Sequence, residues 1–292
     1  MSIADRIAGV QSFDAAGFVP FTCAGVRVGL VRRDHLATLA PFTGVVTVSS
    51  SGVAVAEALR TVDARIAAFA RMLGALRDAG VLRGWRDERY AVVTGFGEAP
   101  HFAMERAAAR MFGVATFAVH VNGFTGRGAN RAMWVGTRSA SKPIDPGMLD
   151  NLVGGGLSSG LSLSATLAKE GYEEAGLDAA RMATALPIGS LDVCRAVPEG
   201  LHAETIFAYR LELPEDVVPR NTDGEVAAFV RLPVAEVAEM LRGDAPFTAD
   251  AALVACAGLL AEGALTDREA ALISGRLAGP VPDGSAAGRP AS

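Results

Sequence analysis

Apolar residues recur at three- and four-residue steps across residues 60–79, and Gly80 follows directly. This spacing places them on one face of an amphipathic helix, and glycine suits the left-handed residue that ends a helix. The same reasoning predicts a second helix at about residues 102–112, ended by Gly113. The first third of the chain is therefore expected to contain at least two helices.

Beyond Gly113 the pattern changes to alternation among β-forming residues over 115–122, which predicts a strand. Further strands are predicted at about 131–137, 204–213 and 225–232, and helices at about 234–241, 249–260 and 267–276. Strands and helices mix without a strict β-α-β alternation. The pattern therefore predicts an α+β fold rather than a doubly wound sheet.

Composition narrows the classes of partner and compartment. The chain has 292 residues, half of them hydrophobic, with a net charge of −5 and no run of Lys and Arg, which argues against a nucleic-acid partner. Three scattered cysteines indicate free thiols rather than disulfides. Without a signal peptide or a long apolar span, we expect a cytoplasmic protein with no membrane contact. Residues 278–292, mostly Gly, Pro, Ala and Ser, are expected to form a loose tail.

A glycine-rich segment, 154–156, leads into a predicted helix that Ser162 or Ser164 caps and Gly176 ends. On this helix Glu170, Glu173 and Glu174 share one face, with Cβ atoms within about 6 Å of one another. Such a cluster is either a solvated surface or a ligand set for a hard cation. Oxygen ligands of this kind suit Mg²⁺ or Mn²⁺.

The segment resembles the Nudix box, a pattern of Gly, five residues, Glu, seven residues, Arg-Glu, and a closing Glu-Glu-any-Gly. Aligned on Gly155, the chain supplies Lys169 for the arginine and then Glu170, Glu173, Glu174, Gly176 and Leu177 in register. Leu161 replaces the first glutamate, and Gly171 replaces an apolar residue. We expect Leu161 to be fixed by burial, and Gly171 to cost the helix roughly 1 kcal/mol.

The flanking sequence is similar to Nudix proteins related to a domain fused to thiamine pyrophosphokinase, on the strength of runs such as 138–143 and 147–156. The resemblance implies a Nudix α/β/α sandwich with a mixed sheet at residues 116–277, preceded by a smaller α+β domain at 1–115. It also implies metal-dependent hydrolysis of a small diphosphate, with thiamine diphosphate or its oxidised analogues cleaved to the monophosphate. Two alternatives are a nucleoside diphosphate derivative as substrate and a domain that binds a diphosphate without cleaving it.

The resemblance assigns Glu170, Glu173 and Glu174 to the metal, with Mg²⁺ or Mn²⁺ as cofactor. Either Glu174 or the downstream Glu225 is expected to accept a proton from water. Four further residues are expected to bind phosphate, unless they serve only the loop and turn in which they lie: Arg138, Lys142, Gly155 and Gly156. For His120, and for the aromatic residues Trp85, Tyr90 and Trp134, ordinary packing is favoured over a role in the site.

Overall fold

A computed structural model describes residues 2–279, 281 and 282. Its helices are α1 (Ile3–Gly9), α2 (Leu36–Leu39), α3 (Val62–Asp78), α4 (Ala109–Phe112), α5 (Leu163–Ala175), α6 (Ala179–Met182), α7 (Val234–Arg242), α8 (Ala249–Ala261) and α9 (Asp267–Ser274). Its strands are β1 (Phe18–Cys23), β2 (Val26–Arg32), β3 (Val46–Ser49), β4 (Gly52–Val55), β5 (Arg89–Val92), β6 (Phe102–Glu105), β7 (Ala115–Thr125), β8 (Ala132–Arg138), β9 (Leu149–Asp150), β10 (Val153–Gly156), β11 (Leu186–Val197), β12 (Gly200–Glu212) and β13 (Val226–Pro233).

The amino-terminal unit is a small α+β layer structure. Strands β2, β1, β4 and β3 form one sheet in that order, and β5 pairs with β6 in a separate hairpin. The amphipathic face of α3 supplies the core, where Phe69 contacts the rings of Phe21, Phe102 and Phe112. The predicted helix at residues 60–79 is thus confirmed to within two residues at each end.

The second unit is built on a seven-stranded mixed sheet. Strands β11, β12, β7, β8 and β13 form the main order, while β10 pairs with β7 and β9 pairs with β8. Only β7 and β12 run parallel. Helix α5 packs on one face of the sheet, and α7, α8 and α9 cover the other. This layering is the mixed-sheet sandwich that the sequence predicted.

The first helix belongs to the second unit by its contacts. Ile3 and Ile7 of α1 are buried in the core formed by the sheet and α8. The Arg6 guanidinium donates hydrogen bonds to the carbonyls of Leu241, Gly243 and Ala245, at 2.7–2.9 Å. Residues 2–10, which the sequence assigned to the amino-terminal domain, therefore help to close the core of the other one.

The predicted helix at residues 102–112 is corrected. Residues 102–112 do not form one helix, because β6 occupies the first four and a 3-10 turn separates it from α4. All four β6 residues are buried, so their apolar run carried no periodicity to distinguish strand from helix. Gly113 does end α4 in the left-handed region, with φ of 53°.

The carboxyl-terminal segment differs from the predicted loose tail where it begins. The Ala278 amide donates to the Ser190 carbonyl at 2.9 Å, and the Ser190 amide donates to Gly279 at 3.3 Å. These residues therefore extend the edge of the sheet beside β11. The rest of the predicted tail, apart from residues 281 and 282, lies outside the described residues.

The two leucines at the start of α5 allow a stability test. Leu163 is buried in the core under α5, whereas Leu161 is only partly buried, less than the sequence led us to expect. We predict that Leu163→Ala lowers the free energy of unfolding by about 2 kcal/mol or more, and Leu161→Ala by about 1 kcal/mol. Urea denaturation measures both, and equal losses would contradict the burial described here.

Candidate active site

Helix α5 carries the predicted metal ligands and has well-formed ends. The Ser162 hydroxyl accepts a hydrogen bond from the Ala165 amide at 3.1 Å, so Ser162 rather than Ser164 is the cap. Gly176 ends the helix at φ 65°. Gly171 is explained by packing, because a Cβ there would lie 2.4 Å from Cγ of Met182 in α6. Its absent side chain lets α6 approach the helix.

The three glycines at 154–156 form strand β10 rather than a turn, and none has a positive φ. A Cβ on Gly155 would lie 2.2 Å from Cδ of Glu170. A Cβ on Gly156 would lie 1.7 Å from the Tyr90 hydroxyl, and one on Gly154 would lie 2.8 Å from the His120 ring. The glycines therefore make room for three side chains that approach the strand.

Glu174 is the most enclosed carboxylate of the cluster. Its Oε2 accepts a hydrogen bond from the Gly154 amide at 2.8 Å, and its Oε1 lies 4.0 Å from the Lys142 ammonium. Burial raises the pKa of Glu174, as does the neighbouring Asp150 carboxylate, whereas the Gly154 amide and Lys142 lower it. Positive charge beside Glu174 is thus needed to hold it ionised.

The other two helix glutamates share a lysine. The Lys169 ammonium lies 2.9 Å from Glu170 and 2.8 Å from Glu173. Glu170 is largely buried beneath Gly155, and burial raises its pKa while Lys169 lowers it. Lys169 therefore pairs with two helix carboxylates and orients them.

Glu225 reaches the site through the loop at residues 220–224, which is hydrogen-bonded to the end of α5. The Arg220 amide donates to Ala175 O and the Thr222 amide to Glu173 O, both at 2.9 Å. This attachment brings the Glu225 carboxylate into an ion pair with Lys142. Two residues far apart in sequence, Glu174 and Glu225, thus meet the same ammonium group.

Arg138 lies near the cluster, but each of its three guanidinium nitrogens already donates a hydrogen bond. It forms an ion pair with Asp150 at 2.7 Å and donates to the carbonyls of Ile144 and Asp145. These bonds hold the loop at residues 139–147 in place. Lys142, on that loop, is only 11% exposed, because Glu174 and Glu225 enclose it.

The donor chemistry of the glutamates suits a divalent cation, but in the described residues no three of their oxygens lie within 4.8 Å of one another, so the side chains must draw together to hold one. Glu170, Glu173, Glu174 and Glu225 offer only carboxylate oxygens, the donors that Mg²⁺ and Mn²⁺ prefer. Each of two lysine ammonium groups already lies between two of these carboxylates. Burial of Glu170 and Glu174 opposes their ionisation, so the cluster favours further positive charge.

Away from the glutamate cluster, the described part of the chain also contains a group of one histidine and two carboxylates. His202, Glu204 and Asp250 place donor atoms within 4.8 Å of one another. His202 Nε2 lies 3.1 Å from Asp250, and the Thr116 hydroxyl donates to Glu204 at 2.9 Å. Burial opposes ionisation of Asp250, but its hydrogen bond with His202, the charge of His202 and then that of Arg195 lower its pKa. With a guanidinium already supplying positive charge, we interpret this group as a structural hydrogen-bond network.

His120 and the aromatic residues Trp85, Tyr90 and Trp134 are packed in the structure, as the sequence analysis favoured. The ring of His120 is buried, and its Nδ1 lies 2.8 Å from the Asn151 side-chain oxygen. Trp134 and Tyr90 are buried among apolar side chains. Trp85 is partly buried, and its indole nitrogen donates to Asp87 at 2.7 Å.

Sequence reasoning assigned no individual residue of the amino-terminal unit to this site. Arg86 lies 3.1 Å from Glu225, and Arg106 forms an ion pair with Glu88 at 2.7 Å. Glu88 also accepts a hydrogen bond from Ser158, just after the glycine strand. Asp150, the partner of Arg138, was missed as well. No local pattern marks these residues, because only the packing of the two units brings them to the cluster.

Comparison with known proteins matches each of the two units to a family. Residues 111–251 match the family described as "NUDIX domain". Residues 111–251 thus correspond to a Nudix domain. Residues 2–116 match a family described as "Domain of unknown function (DUF4743)", so a unit of a second family precedes the Nudix domain. The Nudix resemblance in the sequence is confirmed at this level, while the subgroup related to thiamine pyrophosphokinase stays a prediction.

Two curated relatives extend the likeness to both units. "Nudix hydrolase 20, chloroplastic" of Arabidopsis thaliana is 37% identical over 246 residues, which cover 81% of this chain and 66% of the relative. "Nudix hydrolase 24, chloroplastic" of the same plant is 36% identical over 239 residues, with the same coverage. The Nudix chain thus spans just under two thirds of the length of these relatives.

Among solved structures, the Nudix domain of Shewanella oneidensis NrtR complexed with ADP ribose is 14% identical. The match covers 50% of this chain and 88% of that chain, with a TM-score of 0.40. DR0079 from Deinococcus radiodurans is 23% identical with a TM-score of 0.38, over 48% of this chain and 80% of that chain.

In the described part of this chain, no helix is long and apolar enough to cross a membrane.

The glycine strand gives a prediction for the Nudix site. Gly155→Ala places a methyl group against the Glu170 carboxylate, which must then move. We expect the protein to stay folded and its affinity for Mn²⁺, measured by calorimetry, to fall at least about fivefold through the displaced ligand. Gly74→Ala in α3 is the matched control, because a Cβ there contacts nothing. Unchanged Mn²⁺ affinity in Gly155→Ala would remove Glu170 from the ligand set.

Proposed function

We propose that this Nudix protein hydrolyses a diphosphate linkage in a small molecule, with a divalent metal held by Glu170, Glu173 and Glu174. The observation that carries the proposal is the enclosed carboxylate cluster, in which Glu174 is fixed by the Gly154 amide and faces Lys142 and Glu225. A solvated helix face would not bury its glutamates or surround them with lysines. A bound Mg²⁺ or Mn²⁺ would neutralise phosphoryl oxygens and lower the pKa of a coordinated water.

Glu174, Glu225 and Lys142 then have separate roles in the reaction. Glu225 is the better candidate to accept a proton from water, because its side chain is 29% exposed and that of Glu174 only 8%. One oxygen of Glu174 is also committed to the Gly154 amide. We therefore assign Glu174 to holding the metal and Glu225 to accepting the proton at its carboxylate. Lys142 can approach a phosphate only by leaving these two carboxylates.

Gly155 and Gly156 support the site by the space they leave. Their missing side chains admit Glu170 and the Tyr90 hydroxyl to the strand. Any contact between their backbone and a phosphate would add to that role. Arg138 and Lys142 both form ion pairs with carboxylates of the protein. We therefore assign both cations to organising the loop rather than to binding the substrate directly.

For the substrate we propose thiamine diphosphate or its oxidised analogues, cleaved to the monophosphate. Support comes from the resemblance of the flanking sequence to the subgroup related to thiamine pyrophosphokinase. A nucleoside diphosphate derivative is the second candidate, because a Nudix box does not choose a substrate. We also propose a cytoplasmic location and no nucleic-acid partner, on the basis of composition alone.

Single substitutions test the assignment of the carboxylates. Glu173→Gln and Glu174→Gln should each lower turnover at least about tenfold, because each removes a ligand charge. Glu225→Gln should lower turnover while leaving Mn²⁺ affinity within about threefold, since the proton acceptor is not a principal ligand. Glu236→Gln, on the exposed face of α7, is the control. Full activity in all of the first three variants would reduce the cluster to a solvated surface.

A substrate panel decides the reaction and the substrate class. Thiamine diphosphate, its oxidised analogues, ADP-ribose and dinucleoside polyphosphates are each incubated with Mg²⁺ or Mn²⁺, and phosphate and monophosphate release are measured. We expect the thiamine compounds to be cleaved with the highest kcat/KM. Binding without cleavage of any compound would show that the domain holds a diphosphate without hydrolysing it. The absence of the first box glutamate, replaced by Leu161, is consistent with that outcome.

A further inference from the structure

The Nudix site faces a positively charged edge that the amino-terminal unit supplies. Segment 86–90 lies against the residues that follow the glycine strand, and two bonds fix it there. Ser159 donates its amide proton to the Arg89 carbonyl at 2.7 Å, and the Ser158 hydroxyl donates to Glu88. The segment is thus held at the mouth of the carboxylate cluster.

Arg86 extends from this segment toward the cluster. Its backbone amide donates to the buried Glu105 carboxylate at 3.0 Å, which anchors its main chain. Its side chain is 38% exposed and, among the described residues, is shown bonded only through Nη1, to Glu225 at 3.1 Å. The guanidinium therefore has donors to spare beside the proposed proton acceptor.

Arg106 provides the second cation of this edge. Its side chain is 43% exposed, with Nη1 held by Glu88 at 2.7 Å and its guanidinium carbon 5.6 Å from the centre of the Tyr90 ring. The hydroxyl of that same tyrosine lies against Gly156 of the glycine strand, so the ring places Arg106 beside the site. The Glu88 carboxylate and the Tyr90 ring thus hold Arg106 in place, and part of its guanidinium group remains available to a ligand.

The cations first expected to bind phosphate are less available. Arg138 uses its donors on Asp150 and two carbonyls, and its side chain is 18% exposed. Lys142 is enclosed by Glu174 and Glu225. A diphosphate approaching the cluster would therefore meet the exposed guanidinium groups of Arg86 and Arg106 first. Two planar forks can bind phosphoryl oxygens in pairs, which a lysine cannot.

We propose that Arg86 and Arg106 bind the phosphoryl oxygens of the substrate, so that the amino-terminal unit forms part of the substrate site of the Nudix domain. This inference rests on the proposed function. It also has a consequence for Glu225. A phosphate that binds Arg86 would compete with the Glu225 carboxylate for its guanidinium group.

The test measures binding of inorganic pyrophosphate in Mg²⁺ by calorimetry, together with KM and kcat on any cleaved substrate. We expect Arg86→Gln and Arg106→Gln to weaken pyrophosphate binding at least about tenfold, and the double variant further. KM should rise in parallel in both single variants. Arg71→Gln, an exposed arginine on α3, should leave all three quantities unchanged.

Arg106 also pairs with Glu88, so Arg106→Gln could weaken binding by destabilising the protein. The variant Arg106→Lys separates this effect from a loss of phosphate binding. It keeps the charge and loses the fork, and we expect it to fold with the thermal midpoint of the unaltered protein and to bind pyrophosphate several times more weakly. Pyrophosphate binding unchanged within twofold in Arg86→Gln and Arg106→Gln, or absent from the unaltered protein, would overturn the inference. If no diphosphate is cleaved at all, the proposed function fails while the calorimetry still decides the role of the arginines.

Discussion

The burial of carboxylates beneath a strand of glycines is the constraint on which the site depends. A carboxylate removed from water is costly unless charge or hydrogen bonds compensate it. Here Gly154 supplies an amide to Glu174, Lys142 joins Glu174 to Glu225, and Lys169 joins Glu170 to Glu173. The backbone comes this close to the helix only because no Cβ intervenes at Gly155. Strand, helix and lysines thus form one electrostatic unit.

The two units of the chain meet across polar contacts at this place. Arg86 reaches Glu225, and Glu88 connects Arg106 to Ser158 at the end of the glycine strand. Apolar contacts also join the units, where Phe96 packs against the rings of Phe117 and Phe207, so the charged contacts add register to an interface that is partly apolar. A site built at such a boundary takes its metal-binding groups from one unit and further charge from the other.

The sequence predicted the periodic elements well and the contacts between distant segments poorly. Helix α5 and its caps were visible, since Ser162, the glutamates and Gly176 lie within fifteen residues and follow local rules. The strand β6 was mistaken for helix because a fully buried run has no period. The positions of Arg86 and Asp150 depend on tertiary packing, and no spacing in the sequence encodes it. The glycines were noticed, but only the neighbouring Glu170, Tyr90 and His120 side chains explain them.

The placement of α1 has a consequence for the order in which the protein is assembled. Arg6 bonds to Leu241, 235 residues away, and Ile3 and Ile7 fill a core completed by α8 and α9. During synthesis the apolar face of this helix emerges about 235 residues before Leu241 and must wait for α7, α8 and α9. The intervening unit can fold meanwhile, since its core is contiguous in sequence. Closure of the second core by α1 therefore follows the synthesis of α8 and α9, and it brings Ile3 and Ile7 beside those helices.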